Sequence, residues 1–315
     1  MGENMELNSP LRVSNSELQT FKDCRRKWWL TYYRQLKPKQ EKKVGPLALG
    51  SRIHASLDAY YAQDIPLLEA HAKFVQVDKA ILIANYQDTV DLEAEAELGR
   101  IMLEGYLQWV EENGIDAELE MISTEEIISM PLFDGQVELQ GKLDMRVRRK
   151  ADGVRMFRDF KTVGGSFTEF ASLAHMNEQI LTYMMLEAAQ NKENERVEGG
   201  IFTMLRKVKR TANARPPFYD QIEVRHNAFA LRSFWSRIHG TISDLLQVRK
   251  GLDDGLDHHV VAYPRPSRDC KWKCQFFPIC PLLDDGSAAE QAISEMFNEA
   301  DPYAYYQSDK KGNEE

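Results

Sequence analysis

A chain of 315 residues, 43% of them hydrophobic, is long enough for one large domain or two small ones around a substantial core. Its formal net charge of -9 excludes a protein that coats nucleic acid through a uniformly basic surface, so any contact with a polyanion has to be local. No apolar run is long enough to span a bilayer and the start lacks a charged-then-apolar layout, so an intracellular setting is expected.

Residues 1–13 read as an N-terminal extension. Ser14 and Glu17 then form a Ser-x-x-Glu arrangement suited to a helix N-cap, and the residues that follow predict a first helix over 14–35. Gly45-Pro46 breaks that pattern. ALGSRIHASLDAYYAQ reads as a second helix carrying His54, and a long helical stretch over roughly 83–113 ends at Asn113-Gly114. From about 117 the period becomes two: EMISTEEIISMPL, VELQGKLDMRVRRK and VRMFRDFKT read as three strands of a meander, turned at Asp134-Gly135 and Asp152-Gly153. TEFASLAHMNEQILTYMMLEAAQ returns to helical spacing, GGIFTMLRKVKR and FYDQIEVR read as strands, and NAFALRSFWSRIHGTISDLLQVRK as a helix. Residues 286–315 are expected to form a C-terminal helix and an acidic tail that frays.

The strands GKLDMRV and FRDFKT bring Asp144 beside Asp159 and Lys161, and period two puts Asp159 and Lys161 on one face. Two carboxylates and an ammonium on neighbouring strands fit a hard divalent cation beside a group that orients water or steadies a phosphate. A surface salt bridge is the competing reading of Asp-x-Lys. The hydrophobic run around it, Met156, Phe157 and Phe160, argues instead for a central strand, where charge is costly unless it coordinates something.

Only four cysteines occur, Cys24, Cys270, Cys274 and Cys280, three of them in DCKWKCQFFPIC. In a long intracellular chain such clustering points to bound metal rather than a disulfide framework. The spacing matches neither paired zinc knuckles nor ferredoxin runs, and a four-cysteine zinc site stays open beside iron-sulfur. Positive charge concentrates at Arg25-Arg26-Lys27, at Arg146 with Arg148-Arg149-Lys150, and at Arg206, Lys207, Lys209 and Arg210, with Trp28, Trp29 and Phe218 close in sequence. Basic groups with aromatic faces suit single-stranded DNA, and RKVKRTANARPPFYD reads as a mobile basic loop expected to cover a substrate.

Four short motifs stand in order: Gly50-Ser-Arg-Ile-His54, Gly141-Lys-Leu-Asp144, Asp159-Phe-Lys-Thr162 and Gln179-Ile-Leu-Thr-Tyr183. Together they resemble the RecB-like branch of the PD-(D/E)xK nucleases, over roughly residues 14 to 283. The resemblance implies an α/β fold with a restriction-endonuclease-like core, a central mixed sheet flanked by helices, a helical N-terminal part and a C-terminal iron-sulfur loop. It implies a single nuclease domain over 14–285, closed by a clasp between Cys24 and 270–280. His54, Asp144, Asp159 and the Phe160 carbonyl would ligate Mg2+ or Mn2+, Lys161 would position or activate the attacking water, and Gln179 and Tyr183 would face the active centre and DNA. Phe160 stands where tyrosine is frequent in the family, a change the backbone contact tolerates.

Ser14-Asn-Ser16-Glu-Leu18-Gln-Thr-Phe21 ahead of Cys24, with the C-terminal trio, is similar to the iron-sulfur members of that branch, the AddB-type subunits and the small CRISPR-associated nucleases. The likeness implies one 4Fe-4S cluster on Cys24, Cys270, Cys274 and Cys280. The expected activity is that of a DNA exonuclease acting on ends, single strands preferred, in recombination, repair or phage DNA metabolism. Arg25, Arg26, Arg206, Lys207, Lys209 and Arg210 are the expected DNA contacts, and the cytoplasm of a bacterial or phage-infected cell is the expected place. A homo-oligomer, or recombination or CRISPR proteins, are the expected partners. A CRISPR spacer-processing endonuclease and a non-catalytic DNA-end-binding iron-sulfur module are the alternatives.

Overall fold

Residues 9–190 and 197–306 are described by a computed structural model, which is mixed α/β. The expected ends of the chain, residues 1–8 of the extension and 307–315 of the tail, lie outside the described residues. The chain divides into two units made of interleaved stretches: Met1–Glu41, Ser129–Gly141 and Phe229–Glu315 in the first, Lys42–Ile128 and Lys142–Ala228 in the second. No linker-like segment marks this division, because the long strands β3 (Leu119–Leu132) and β4 (Val137–Arg149) each run through it.

In the first unit β1 (Leu11–Ser14) pairs in parallel with the start of β4, from Leu11↔Val137 to Ser14↔Gln140. The predicted helix over 14–35 is broken. Helix α1 (Asn15–Asp23) ends at Cys24, which is extended at φ -161°, and α2 (Arg25–Trp28) continues as a π-turn over Trp29–Tyr33. Ser14 Oγ accepts the Glu17 N–H as an N-cap should, yet the Glu17 carboxylate does not return to the cap. It lies buried, accepting from Trp28 Nε1 at 2.8 Å and from the Tyr303 hydroxyl.

Strand β2 (Leu36–Pro38) pairs antiparallel with β8 (Phe297–Glu299), and Tyr303 is 5% exposed. Helix α11 (Ala289–Met296) and the residues up to Tyr306 are packed, anchored by Arg12 on Asp301 and Arg34 on Glu290. Helix α8 (Ala228–Asp253), the short helices α9 (His258–Val261) and α10 (Cys270–Lys273), and apolar residues such as Val13, Phe21, Trp28 and Phe276 complete this unit.

The second unit holds the mixed sheet and the helices that carry chemistry. The latter half of β4 pairs antiparallel with β5 (Arg155–Val163), β5 pairs in parallel with β6 (Val197–Arg206), and β6 pairs antiparallel with β7 (Tyr219–Arg225). The expected meander is present in β3, β4 and β5. Gly153, at φ +70°, sits in the turn before β5, where a Cβ would be strained.

Helix α3 (Pro46–Gln63) opens with proline in its first turn, where the missing N–H costs nothing. The single helix expected over 83–113 is instead the end of α4 (Leu67–Ala84) and the whole of α5 (Val90–Asn113). Between them Tyr86 is left-handed and Asp88 Oδ1 takes the Val90 N–H at 2.8 Å, a local turn that restarts the helix. In the same way Asn177 accepts from Gln179 N and separates α6 (Phe167–Ala174) from α7 (Glu178–Gln190). Leu49, Ile53 and Leu57 of α3 and Met102 and Tyr106 of α5 pack on Met145, Phe160 and Leu205 of the sheet.

Candidate active site

The ladder between β4 and β5 runs from Arg148↔Arg155 to Met145↔Arg158 and stops there. Where the strands part, the Asp144 carboxylate takes the next N–H, that of Phe160, at 3.0 Å. Asp144 and Asp159 are thus brought together by a ladder that ends one residue early. The Phe160 ring turns the other way, 3% exposed, stacked on Tyr61 with centroids 5.9 Å apart and crossed edge-on by Tyr106. Beside it Arg158 is buried but satisfied, by Asp116 at 2.6 Å, Tyr106 at 2.8 Å and Thr203 at 3.0 Å.

Helix α3 supplies the imidazole: His54 Nδ1 lies 3.4 Å from Asp144 Oδ2. The glycine four residues before it has a steric reason, since a Cβ on Gly50 would come within 3.0 Å of Thr162 Oγ1. The Gly-x-x-x-His and Asp-Phe-Lys-Thr motifs are therefore two sides of one helix-strand contact. Arg52, on the buried side of α3, fixes its rotation through Asp78 at 2.9 Å and Glu95 at 2.6 Å.

Asp159 is 2% exposed and its Oδ2 forms an ion pair with Lys161 Nζ at 2.6 Å. The Lys161 ammonium donates to Gln179 Oε1 at 3.0 Å, Gln179 Nε2 donates to the Tyr183 hydroxyl at 2.8 Å, and that hydroxyl donates to the Lys142 carbonyl at 2.8 Å. One line of hydrogen bonds thus runs from the ammonium to the backbone two residues before Asp144. Tyr183 is 6% exposed and edge-on to Phe157.

Burial and the neighbouring Asp144 charge push the Asp159 carboxyl up to about 6, against the pull of Lys161. Asp144 moves the other way: burial opposes its ionisation, but the His54 hydrogen bond, the His54 and Lys161 charges and the Phe160 N–H outweigh it. His54 is raised because Asp144 and Asp159 overcome the cost of its burial. Two like-charged carboxylates with split proton affinities, an imidazole and an ammonium are a set in which added positive charge is favourable.

A cleft beside Asp144 is lined by His54, Asp58, Glu125 and Phe160 among others; Asp159 and Lys161 stand outside its lining. Glu125 is a residue that the sequence reading missed. It is left-handed at φ +49° inside β3, paired with the Lys142 ammonium, and raised in pKa by burial and by Asp144. In the sequence it looks like one more acid of a solvated strand face; the positive φ that turns it toward the cleft has no local signature.

The cysteines all belong to the first unit, as free, half-buried thiols. Cys24 Sγ accepts from Arg265 N at 3.4 Å, Cys270 Sγ from Ser267 N at 3.3 Å, and Cys280 Sγ from the Arg26 guanidinium at 3.9 Å. Among the described residues no three of these sulfurs all lie within 4.8 Å of one another; the set within that distance is Asp257, His258 and His259.

The basic candidates divide sharply. Arg26 is 1% exposed, with both terminal nitrogens on Asp284 at 2.6 and 2.8 Å, so its reading as a DNA contact is corrected to a structural one. Trp28 and Trp29, at 0% and 7%, are likewise closed to stacking. Arg146 pairs with Glu126 and Glu187, Arg148 with Glu120, and Arg149 with Asp152 and Glu223. Arg25 lies over the Phe21 and Tyr263 rings. Arg206 bonds the Arg215 carbonyl, Lys207 the Pro46 carbonyl, and Arg210 the Val208 carbonyl and Tyr219 hydroxyl; Lys209 is exposed.

No helix among the described residues is long and apolar enough to cross a membrane. A comparison with curated proteins gave no match. Among solved structures, one described as a "putative exonuclease" from Eubacterium rectale is 12% identical, with a TM-score of 0.50, 86% of this chain covered and 87% of that one. Another, that of SSO0001, is 17% identical with a TM-score of 0.32, covering 77% of this chain and 88% of that one. The first likeness concerns the fold. The model of the PD-(D/E)XK nuclease superfamily matches residues 12–281, a span that holds all four motifs and the four cysteines, and the chain belongs to that superfamily.

Proposed function

We propose that this nuclease hydrolyses phosphodiester bonds from DNA ends in a Mg2+- or Mn2+-dependent reaction, with single strands preferred, in recombination, repair or phage DNA metabolism. The observation that carries the reading is the pairing of Asp144 and Asp159 where β4 and β5 part, with Lys161 held against Asp159. The residues fit a hard cation. A carboxyl raised by burial and by its neighbour's charge would lose that penalty beside a bound divalent ion. His54, Asp144, Asp159 and the Phe160 carbonyl are the residues to hold it. The ion would supply Lewis-acid polarisation of the phosphate and a lowered pKa of water.

The rest of the work falls to the chain. Lys161, kept charged by Asp159 and aimed by Gln179, orients water or balances charge growing on the phosphate. Gln179 and Tyr183 keep that ammonium in register with β4. Lys209, with Arg206 and Arg210, offers positive charge on the loop after β6, where phosphates release counterions on binding.

The cysteines are proposed to hold a 4Fe-4S cluster. Support comes from N–H groups already directed at three of the sulfurs, as clustered thiolates require, and from their spacing.

Digestion of end-labelled single- and double-stranded DNA with magnesium or manganese tests the activity, with closed circular DNA as the control for attack away from ends. The expected result is metal-dependent release of short products from linear single strands. No cleavage with either metal, or equal cleavage by Asp159→Ala protein, would overturn it.

A further inference from the structure

We propose that the segment bearing the three C-terminal cysteines carries a stacking platform for single-stranded nucleic acid, built on Trp272; this rests on the nuclease reading and adds a binding site to it. Large aromatic side chains dominate burial because each removes so much apolar surface from water. Trp272 does the opposite. It is 79% exposed, the most exposed tryptophan among the described residues, in the short helix Cys270–Lys273.

Its neighbours say what covers it. Lys271 and Lys273 flank it and are exposed, with Lys271 Nζ 5.4 Å from the indole centroid. Lys273 is tied only to Asp269, in a surface pair that contributes little and exchanges readily. Between Pro264 and Cys280 there are four basic residues, Arg265, Arg268, Lys271 and Lys273, against one acid, Asp269, in a chain whose net charge is -9. In the same unit Tyr263 is 47% exposed with the Arg25 guanidinium 5.3 Å from its ring. An apolar partner would leave these cations desolvated and unpaired, whereas a single strand offers both a π-face for the indole and phosphates for the lysines.

The segment is also positioned without using the platform residues. Phe276 and Ile279 are the buried anchors, at 1% and 0%, and the Arg265 N–H and guanidinium are spent on Cys24 and Lys22. Trp272, Lys271 and Lys273 are left to face solvent.

Binding of labelled oligo-dT and of a blunt duplex by the full chain, in EDTA so that nothing is cleaved, tests the proposal. Trp272→Ala should weaken oligo-dT binding roughly tenfold, the scale of one lost base–aromatic stack. Trp272→Phe should retain most of the affinity, and duplex binding should change little. Lys271→Gln with Lys273→Gln should lower the salt slope for the single strand by about 1.4, at roughly 0.7 per phosphate contact. Because Trp272 is exposed, thermal unfolding should stay at the parental midpoint, which separates lost binding from lost folding.

Equal affinity of the parent and Trp272→Ala protein for oligo-dT would overturn the platform, and so would a changed oligomeric state at unchanged affinity, which would make the surface a contact between copies. Parental protein that cleaves DNA while Trp272→Ala binds normally sinks the platform alone. Parental protein that neither binds nor cleaves sinks the nuclease reading with it.

Discussion

Asp159 stands inside a sheet at 2% exposure, with Lys161, Gln179 and Tyr183 in a continuous line of contacts behind it. Cys270, Cys274 and Cys280 instead occupy a segment whose regular structure is a four-residue helix and a three-residue 3-10 turn. The polar groups of the carboxylate site are held by the sheet and by α7. The cysteine segment is anchored by Phe276, Ile279 and the Arg26–Asp284 pair, and the proposed cluster would add a cross-link between Cys24 and residues 270–280. Mutations should therefore separate into those that stop chemistry in a folded protein and those that unfold it.

The largest effect is expected at the carboxylate site. Asp159→Asn or Lys161→Met should lower metal-dependent cleavage by at least ~10,000-fold, equivalent to several kcal/mol of lost transition-state stabilisation. The thermal midpoint should move little, because neither change opens a cavity. Cleavage within a factor of ten of the parent would show that the active site lies elsewhere.

Cys24→Ala tests the other side of the contrast. A tie between residue 24 and the 270–280 segment closes a loop of about 250 residues, for which chain-entropy arithmetic gives roughly 5 kcal/mol. Protein purified without oxygen should contain about four irons per chain, as a 4Fe-4S centre implies, and the variant should lose both iron and several kcal/mol in denaturant unfolding. Stoichiometric zinc in place of iron would refute the cluster while leaving the clasp intact.

How much of this could be read from the chain depended on whether the cause was local. Asp144, Asp159 and Lys161 were legible because neighbouring strands and a period of two bring them together, whereas Gln179 rested on the resemblance; the structure joins Lys161 to Asp159 and Gln179. The strands and their Gly153 turn were legible for the same reason. Arg26 was misread because its partner, Asp284, is more than 250 residues away, and a buried cation looks like an exposed one in sequence. Trp28 was misread on the same ground: it sits among basic residues in the sequence, and only tertiary packing buries it. Glu17 satisfied the spacing of a capping box, but burial beside Trp28 and Tyr303 offered it better partners than the helix start.

That buried carboxyl yields a pH prediction. Burial, only partly offset by the Tyr303 and Trp28 hydrogen bonds, raises Glu17 from 4.5 to about 7. The folded state then holds a proton that the unfolded state has released between those values. The contribution is fully present below about pH 4.5 and is lost as pH rises through about 7, up to roughly 3 kcal/mol. Unfolding free energy should fall over that window in the parent and fall less in Glu17→Gln. Parallel pH profiles for the two proteins would mean that Glu17 is ionised throughout.

The smallest effect is expected at Tyr183, and it asks whether the line of hydrogen bonds behind Lys161 acts by position. Tyr183→Phe keeps the ring against Phe157 but removes the hydroxyl that joins Gln179 to the Lys142 carbonyl. Loss of about 1.4 kcal/mol of orientation would reduce kcat roughly tenfold. KM for DNA should hold, because a side chain 6% exposed is not a substrate contact. In a Lys161→Met background the same change should have almost no further effect, since the group it orients is gone. A raised KM, or a full additional tenfold loss in that background, would instead make Tyr183 a contact in its own right.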